Sequence, residues 1–173
     1  MEIYLIRHTT PELTPGLIYG RLDVPLTSEF NEELELIKTK LPENFDVVYS
    51  SPATRCTILA KEIDDKFITD SRLTELHFGD WEGKTWDTVD QGALQIWMDD
   101  FVNVCVPGGE SMLDLKKRVA EFWEDLRQKD HQKIAVVTHA GVIRMLLTLY
   151  RKSPLEDFFR IEVKYGDVNR ISL

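Results

Sequence analysis

Ile3-Tyr4-Leu5-Ile6-Arg7-His8-Thr9 and Ile134-Ala135-Val136-Val137-Thr138-His139-Ala140 are two apolar runs of strand length, each with a histidine placed just past its apolar residues. A short unbroken apolar run bounded by polar residues reads as a strand buried on both faces, and such strands belong to parallel sheets covered by helices. Phe45-Asp46-Val47-Val48-Tyr49 is a third run of this kind. Ligands of open parallel sheets sit at the carboxyl ends of the strands, so the two endings bring two of the chain's four histidines toward one crevice.

Helical patterns fill the intervals. Thr27 is expected to cap a helix with Glu29, Glu32 and Glu33 near its start, Phe30, Leu34, Ile37 and Leu41 on one face, and an end before Pro42. Ser50-Ser51-Pro52 offers a cap followed by proline at the first helical position, after which Cys56, Leu59, Ala60 and Ile63 keep helical spacing. Ser111 and Asp114 form a capping-box pair ahead of Leu115, Val119, Phe122 and Leu126. A further helix is expected from Gly141 to about Tyr150, and a last strand from Val168 to Leu173. Strands alternating with helices predict a three-layer α/β/α sandwich with a mainly parallel central sheet, read as a single domain over 1–173. From Trp81 to Gly109 the rhythm is interrupted by Trp81, Trp86, Trp97, Phe101 and Pro107-Gly108-Gly109, which predicts a helical excursion forming a lid or side wall.

The 173 residues are 43% hydrophobic and 29% charged, ordinary globular values for a chain long enough to bury its own core. Twenty-one Lys and Arg against 30 Asp and Glu give a net charge of −9, which argues against a broad basic face for nucleic acid or anionic membrane. Cys56 and Cys105 form no zinc or disulfide pattern, and Cys105 is expected to be a buried packing residue. The N-terminal residues lack a signal-peptide pattern, so a cytoplasmic location is expected. Both monomer and homodimer remain open.

His8 and His139 alone could be packed or capping residues; their shared position at a ligand-binding edge favours a site. Arg55 falls in the first turn of a helix, where a cation is unfavourable by roughly 0.3–1 kcal/mol unless an anion compensates. With Arg7 it could bind an oxyanion, the alternative for each being a structural salt bridge. Such a site must concentrate enough positive charge to outweigh the overall negative field. Glu75, in Glu75-Leu76-His77-Phe78-Gly79-Asp80-Trp81-Glu82-Gly83, is a candidate proton donor to a departing oxygen, and Glu82 competes with it. His8, His139 and Glu75 also have the composition of a zinc or iron site, but the flanking arginines would repel a cation, so no metal is expected.

These segments, with Gly20-Arg21-Leu22-Asp23-Val24-Pro25-Leu26-Thr27, Ser50-Ser51-Pro52-Ala53-Thr54-Arg55, Pro107-Gly108-Gly109-Glu110-Ser111 and Thr138-His139-Ala140-Gly141, resemble the histidine phosphatase superfamily in its own order over nearly the whole chain. The resemblance implies a phosphoglycerate mutase-like fold and a phosphomonoesterase without cofactor or metal. It assigns His8 as the nucleophile that forms a phosphohistidine, Arg7, Arg55 and His139 as ligands of the phosphoryl oxygens, and Glu75 as general acid. It adds Thr14, Gly20, Arg21, Ala140 and Trp86 as substrate contacts. Arg7-His8-Thr9-Thr10-Pro11 and Phe78-Gly79-Asp80-Trp81-Glu82-Gly83-Lys84-Thr85-Trp86-Asp87 look most like the α-ribazole phosphatases of cobalamin nucleotide-loop assembly. The partner is then a small phosphorylated metabolite, with Trp86 and Trp97 either stacking on a flat base or filling core. Thr9 replaces the family's usual glycine and Thr14 an asparagine of the mutases, which favours hydrolase over mutase. A broad-specificity or sugar-phosphate phosphatase and a non-catalytic phosphate-binding module are the alternatives.

Overall fold

The computed structural model describes residues 1–173. Five strands form one sheet: β1 (Glu2–Arg7), β2 (Val47–Ser50), β3 (Ile68–Thr69), β4 (Lys133–Thr138) and β5 (Val168–Ser172), in the order β3-β2-β4-β1-β5. β2 pairs in parallel with β3 and β4, and β4 with β1; β5 alone runs antiparallel, against β1. The two-residue β3 has no apolar run to announce it, and both its side chains are exposed at the sheet edge.

Alternation along the strands divides the core. Ile3 and Leu5 of β1, with Ile134 and Val136 of β4, join one cluster that holds helices α4 (Met112–Arg127) and α5 (Ala140–Arg151). Tyr4, Ile6, Ala135 and Val137 point the other way, onto α1 (Phe30–Lys38) and α2 (Thr54–Ile63). This is the expected three-layer arrangement, each strand serving both faces because successive side chains alternate.

The capping box expected at Ser111 forms. Ser111 Oγ accepts from Asp114 N at 3.1 Å while Asp114 Oδ2 accepts from Ser111 N at 2.9 Å, completing the box that starts α4. At α2 the expectation is corrected: the helix begins at Thr54 after an extended Ala53, so neither Ser50 nor Ser51 is its N-cap and Pro52 lies outside it. Thr27 does not cap α1 either; Glu29 holds that position without a side-chain bond, and the helix ends at Lys38, short of Leu41.

The excursion over 81–109 contains one short helix, α3 (Gln91–Asp99), capped by Asp90, whose side chain accepts from Ala93 N at 2.7 Å. Cys105 is exposed rather than buried, because its neighbour Val106 occupies the core position there at 0% exposure. No helix is long and apolar enough to cross a membrane.

Candidate active site

Strand register assembles the centre. Arg7 of β1 lies opposite Thr138 of β4, so the next residues, His8 and His139, emerge side by side, their rings 5.2 Å apart between centroids. Ser50 lies opposite Val137, which puts Ser51 at the same level. The three strand ends are tied by His8 N donating to Thr138 O at 3.0 Å and Ser51 N to Val137 O at 2.9 Å.

His8 is 1% exposed, and its Nδ1 lies 2.8 Å from Thr9 O. A carbonyl only accepts, so Nδ1 carries the proton and Nε2 keeps its lone pair. Burial first, then the Arg55 charge, push His8 down to about 3 against the pull of the Thr9 bond, so the ring is neutral at physiological pH.

His139 is equally buried and is held well below its ordinary value, by burial first and then by the neighbouring positive groups. Its Nδ1 accepts from Arg55 Nη2 at 3.2 Å, which fixes the proton on Nε2, and Nε2 donates to Ser51 Oγ at 2.8 Å. Ser51 is thus an orienting partner for His139, a role invisible in a segment that reads as a helix cap. Cys56 packs its sulfur 3.6 Å from the same Nε2, and burial pushes its thiol up to about 12.

Arg55 is 1% exposed and donates to Gly20 O at 2.7 Å and Leu22 O at 3.0 Å. Gly20 is required there: a Cβ on it would fall 2.0 Å from Leu76 O. Arg7 donates to Val163 O at 2.7 Å, and its guanidinium carbon lies 3.7 Å from the centre of the Tyr165 ring. Neither arginine belongs to an ion pair with a carboxylate. Two such guanidiniums beside two neutral imidazoles form a pocket whose charge suits an anion.

Glu75 lines this pocket and Glu82 does not. The Glu75 carboxylate accepts from Leu76 N at 2.9 Å and from Gly141 N, in the first turn of α5, at 3.0 Å. A Cβ on Gly141 would lie 2.2 Å from Glu75 Oε1, so only glycine admits this approach. Glu82 instead binds the backbone N–H groups of Arg21, Leu22 and Phe78, clamping the loop that carries Gly20. Arg118 donates to the carbonyls of Arg72, Thr74 and Glu75 and to Glu110, fixing the segment that presents Glu75. Burial would raise Glu110, but the Arg118 bonds and charge, the His77 N–H and the Arg21 charge together hold the carboxyl below its usual range.

The pocket has a volume of about 220 Å³ and also takes in Gly20, Trp86 and Ala140. Thr14 and Arg21 lie outside it: Thr14 is exposed on its loop, and Arg21 reaches away to Glu110 at 2.9 Å. Tyr19, Tyr165 and Arg144 line it without having been singled out from sequence. Arg144 Nε donates to Ile161 O at 2.8 Å, and the residue is in no ion pair. Beside the pocket is a hollow of about 530 Å³ walled entirely by hydrophobic side chains, among them Trp97, Met98, Phe101 and Phe159; Phe78 and Trp86 line both spaces. No group of three or more His, Cys, Asp or Glu side chains is gathered as a metal site.

This architecture and pocket are those of a phosphate-handling enzyme, and a sequence profile of the histidine phosphatase superfamily (branch 1) matches residues 3–173; the chain belongs to that superfamily. Relatives it matches include proteins named as phosphatases and others named as phosphoglycerate mutases or mutase-like proteins; the superfamily match and the phosphatase-named relatives support a phosphatase. The adenosylcobalamin/alpha-ribazole phosphatase of Escherichia coli (strain K12) is 30% identical over 96% of this chain and 87% of its own length. Phosphoserine phosphatase 1 of Hydrogenobacter thermophilus is also 30% identical, over 84% of this chain and 74% of its own. Among solved structures, the alpha-ribazole phosphatase from Shigella flexneri superposes with a TM-score of 0.91 at 27% identity, covering 100% of this chain and 91% of that one.

Proposed function

We propose that the chain hydrolyses phosphomonoesters through a phosphohistidine on His8, with α-ribazole 5′-phosphate as its substrate. The observation that carries the mechanism is the neutral, Nδ1-protonated His8 facing two arginines that have no carboxylate partner. Nε2 attacks phosphorus in line with the leaving oxygen, the ester P–O bond breaks, and Glu75 supplies the proton that the alkoxide takes. Arg7 and Arg55 neutralise the phosphoryl oxygens, with His139 bracing Arg55 through Nδ1. Water then attacks the phosphohistidine, Glu75 receives its proton, and inorganic phosphate leaves as Nε2 regains its lone pair.

The substrate assignment rests on the hollow next to the phosphate pocket. Its volume falls within the range of about 300–1,000 Å³ usual for ligand sites, and its walls are apolar and aromatic, which suits a flat base such as dimethylbenzimidazole. A second reading, phosphoserine, is favoured by Arg144, an unpaired cation in the pocket wall that suits a substrate carboxylate. Initial rates on α-ribazole phosphate, phosphoserine, 3-phosphoglycerate and sugar phosphates, with chelator present, decide between them. At least tenfold preference in kcat/KM for the first supports the assignment; preference for phosphoserine transfers it to the second reading, and a flat profile removes both.

A further inference from the structure

Two tyrosines outside the mechanism above line the pocket. Tyr19 comes from the loop after β1, and Tyr165 from the turn before β5. Their hydroxyls hydrogen-bond to each other. Each ring is also set against one of the two arginines, Tyr165 under Arg7 at 3.7 Å and Tyr19 near Arg55 at 5.3 Å, and the Tyr165 ring lies 5.6 Å from that of His8.

Counting protons gives this pair a chemical consequence. Two phenols hold two O–H donors, and a single hydrogen bond between them uses one. Neither hydroxyl has any other protein partner, so one O–H is left without a protein acceptor. Both residues line the pocket with Arg7, Arg55 and His8, and its one carboxylate, Glu75, is bonded to Leu76 N and Gly141 N and to neither phenol, so the acceptor that fits the free proton is an oxygen on the bound ligand. Burial, and then the bond to Tyr165, hold Tyr19 above the ordinary phenol range, which keeps its proton on at neutral pH.

We propose that Tyr19 and Tyr165 act as one unit that donates a single hydrogen bond to a non-bridging oxygen of the bound phosphoryl group, while their rings hold Arg7 and Arg55 in facing positions. One hydroxyl touches the ligand and the other orients it. The proposal rests on the reading of this pocket as the phosphoryl site.

Tyr19→Phe, Tyr165→Phe and the double variant test it, since each removes only oxygen and keeps the ring against its arginine. The readouts are kcat/KM on an aryl phosphate and affinity for orthovanadate, a five-coordinate phosphate mimic, with thermal unfolding as the check on folding. At least one single variant is expected to lose about tenfold or more in both readouts, as removal of a donor to a charged oxygen does. The double variant is expected to lie within about twofold of the weaker single, because the pair supplies one donor; independent roles would multiply. Losses under threefold in both singles, a double equal to the product of two losses, or losses that only follow a lowered unfolding temperature would overturn the proposal. If the unaltered protein neither turns over the aryl phosphate nor binds vanadate, the reading of the pocket itself fails.

Discussion

The phosphate pocket and the aromatic hollow beside it share Phe78 and Trp86 but are built by different physics. In the pocket His8, Arg55 and His139 are each 1% exposed, and hydrogen bonds to the backbone or to Ser51 fix their orientation. In the hollow Met98, Phe159 and Trp86 are 58%, 48% and 36% exposed, and the rings of Trp86 and Phe159 each pack against that of Trp97. Chemistry that depends on placement to a fraction of an ångström is carried by strand register, which cannot drift without breaking the sheet. In the proposed function, recognition of the rest of the substrate falls to side chains that can be exchanged without touching that register. The two regions should therefore fail in different kinetic parameters.

The largest effect expected, and the one that would break this comparison if absent, is at Arg55. Arg55→Lys keeps the charge but loses the fork that reaches Gly20 O and Leu22 O, and kcat should fall by about a hundredfold or more in steady-state assays. Glu75→Gln should lower kcat by about a hundredfold on alkyl phosphates, which need a proton on the leaving oxygen, and far less on p-nitrophenyl phosphate, whose leaving group needs none. Gly141→Ala should reproduce that same leaving-group pattern, since its Cβ would displace the Glu75 carboxylate while suiting the helix.

In the hollow, Trp86→Ala should raise KM for α-ribazole phosphate by about tenfold, the scale of one lost stacking contact, and leave kcat on a small alkyl phosphate within about twofold. A matching fall in kcat on the small substrate would show that the two regions are not separable. The last effect concerns stability rather than rate. The unfolded chain protonates His8 below about pH 6.5 and the folded chain only near 3, so the unfolded state binds more protons between those values. His139 is depressed in the same direction. Denaturant titrations should show stability falling as pH drops through that interval, by at most about 1.4 kcal/mol per pH unit for each ring.

The same contrast explains what was legible in the sequence. The strand runs, the endings at His8 and His139, and the capping box at Ser111 are local patterns, and they appear where they were read. The start of α2 differs from the cap reading because Ala53 stays extended and delays the helix to Thr54, while Ser51 Oγ accepts from Ala53 N and bonds to His139, 88 residues away. Arg118, Arg144, Tyr19 and Tyr165 carry no local signature, since a lone arginine on a helix or a tyrosine in a loop looks the same whether it faces water or a ligand. β3 carries no signal of its own for a related reason: its two exposed residues pair with β2 only because that strand is already in place. Cys105 shows the limit of composition, because which of two adjacent residues turns inward is decided by the path of the loop.

The claim on which the account stands is that Nε2 of His8 carries the phosphoryl group, Nδ1 being held by Thr9 O. Rapid quench into alkali during turnover of a labelled phosphomonoester, followed by peptide mapping, tests it directly. The account predicts a base-stable, acid-labile label on the peptide containing His8, attached at Nε2, formed at least as fast as steady-state turnover and absent in His8→Ala together with activity. Full turnover with no label on His8, with the label on Nδ1, or with His8→Ala retaining the rate would contradict it.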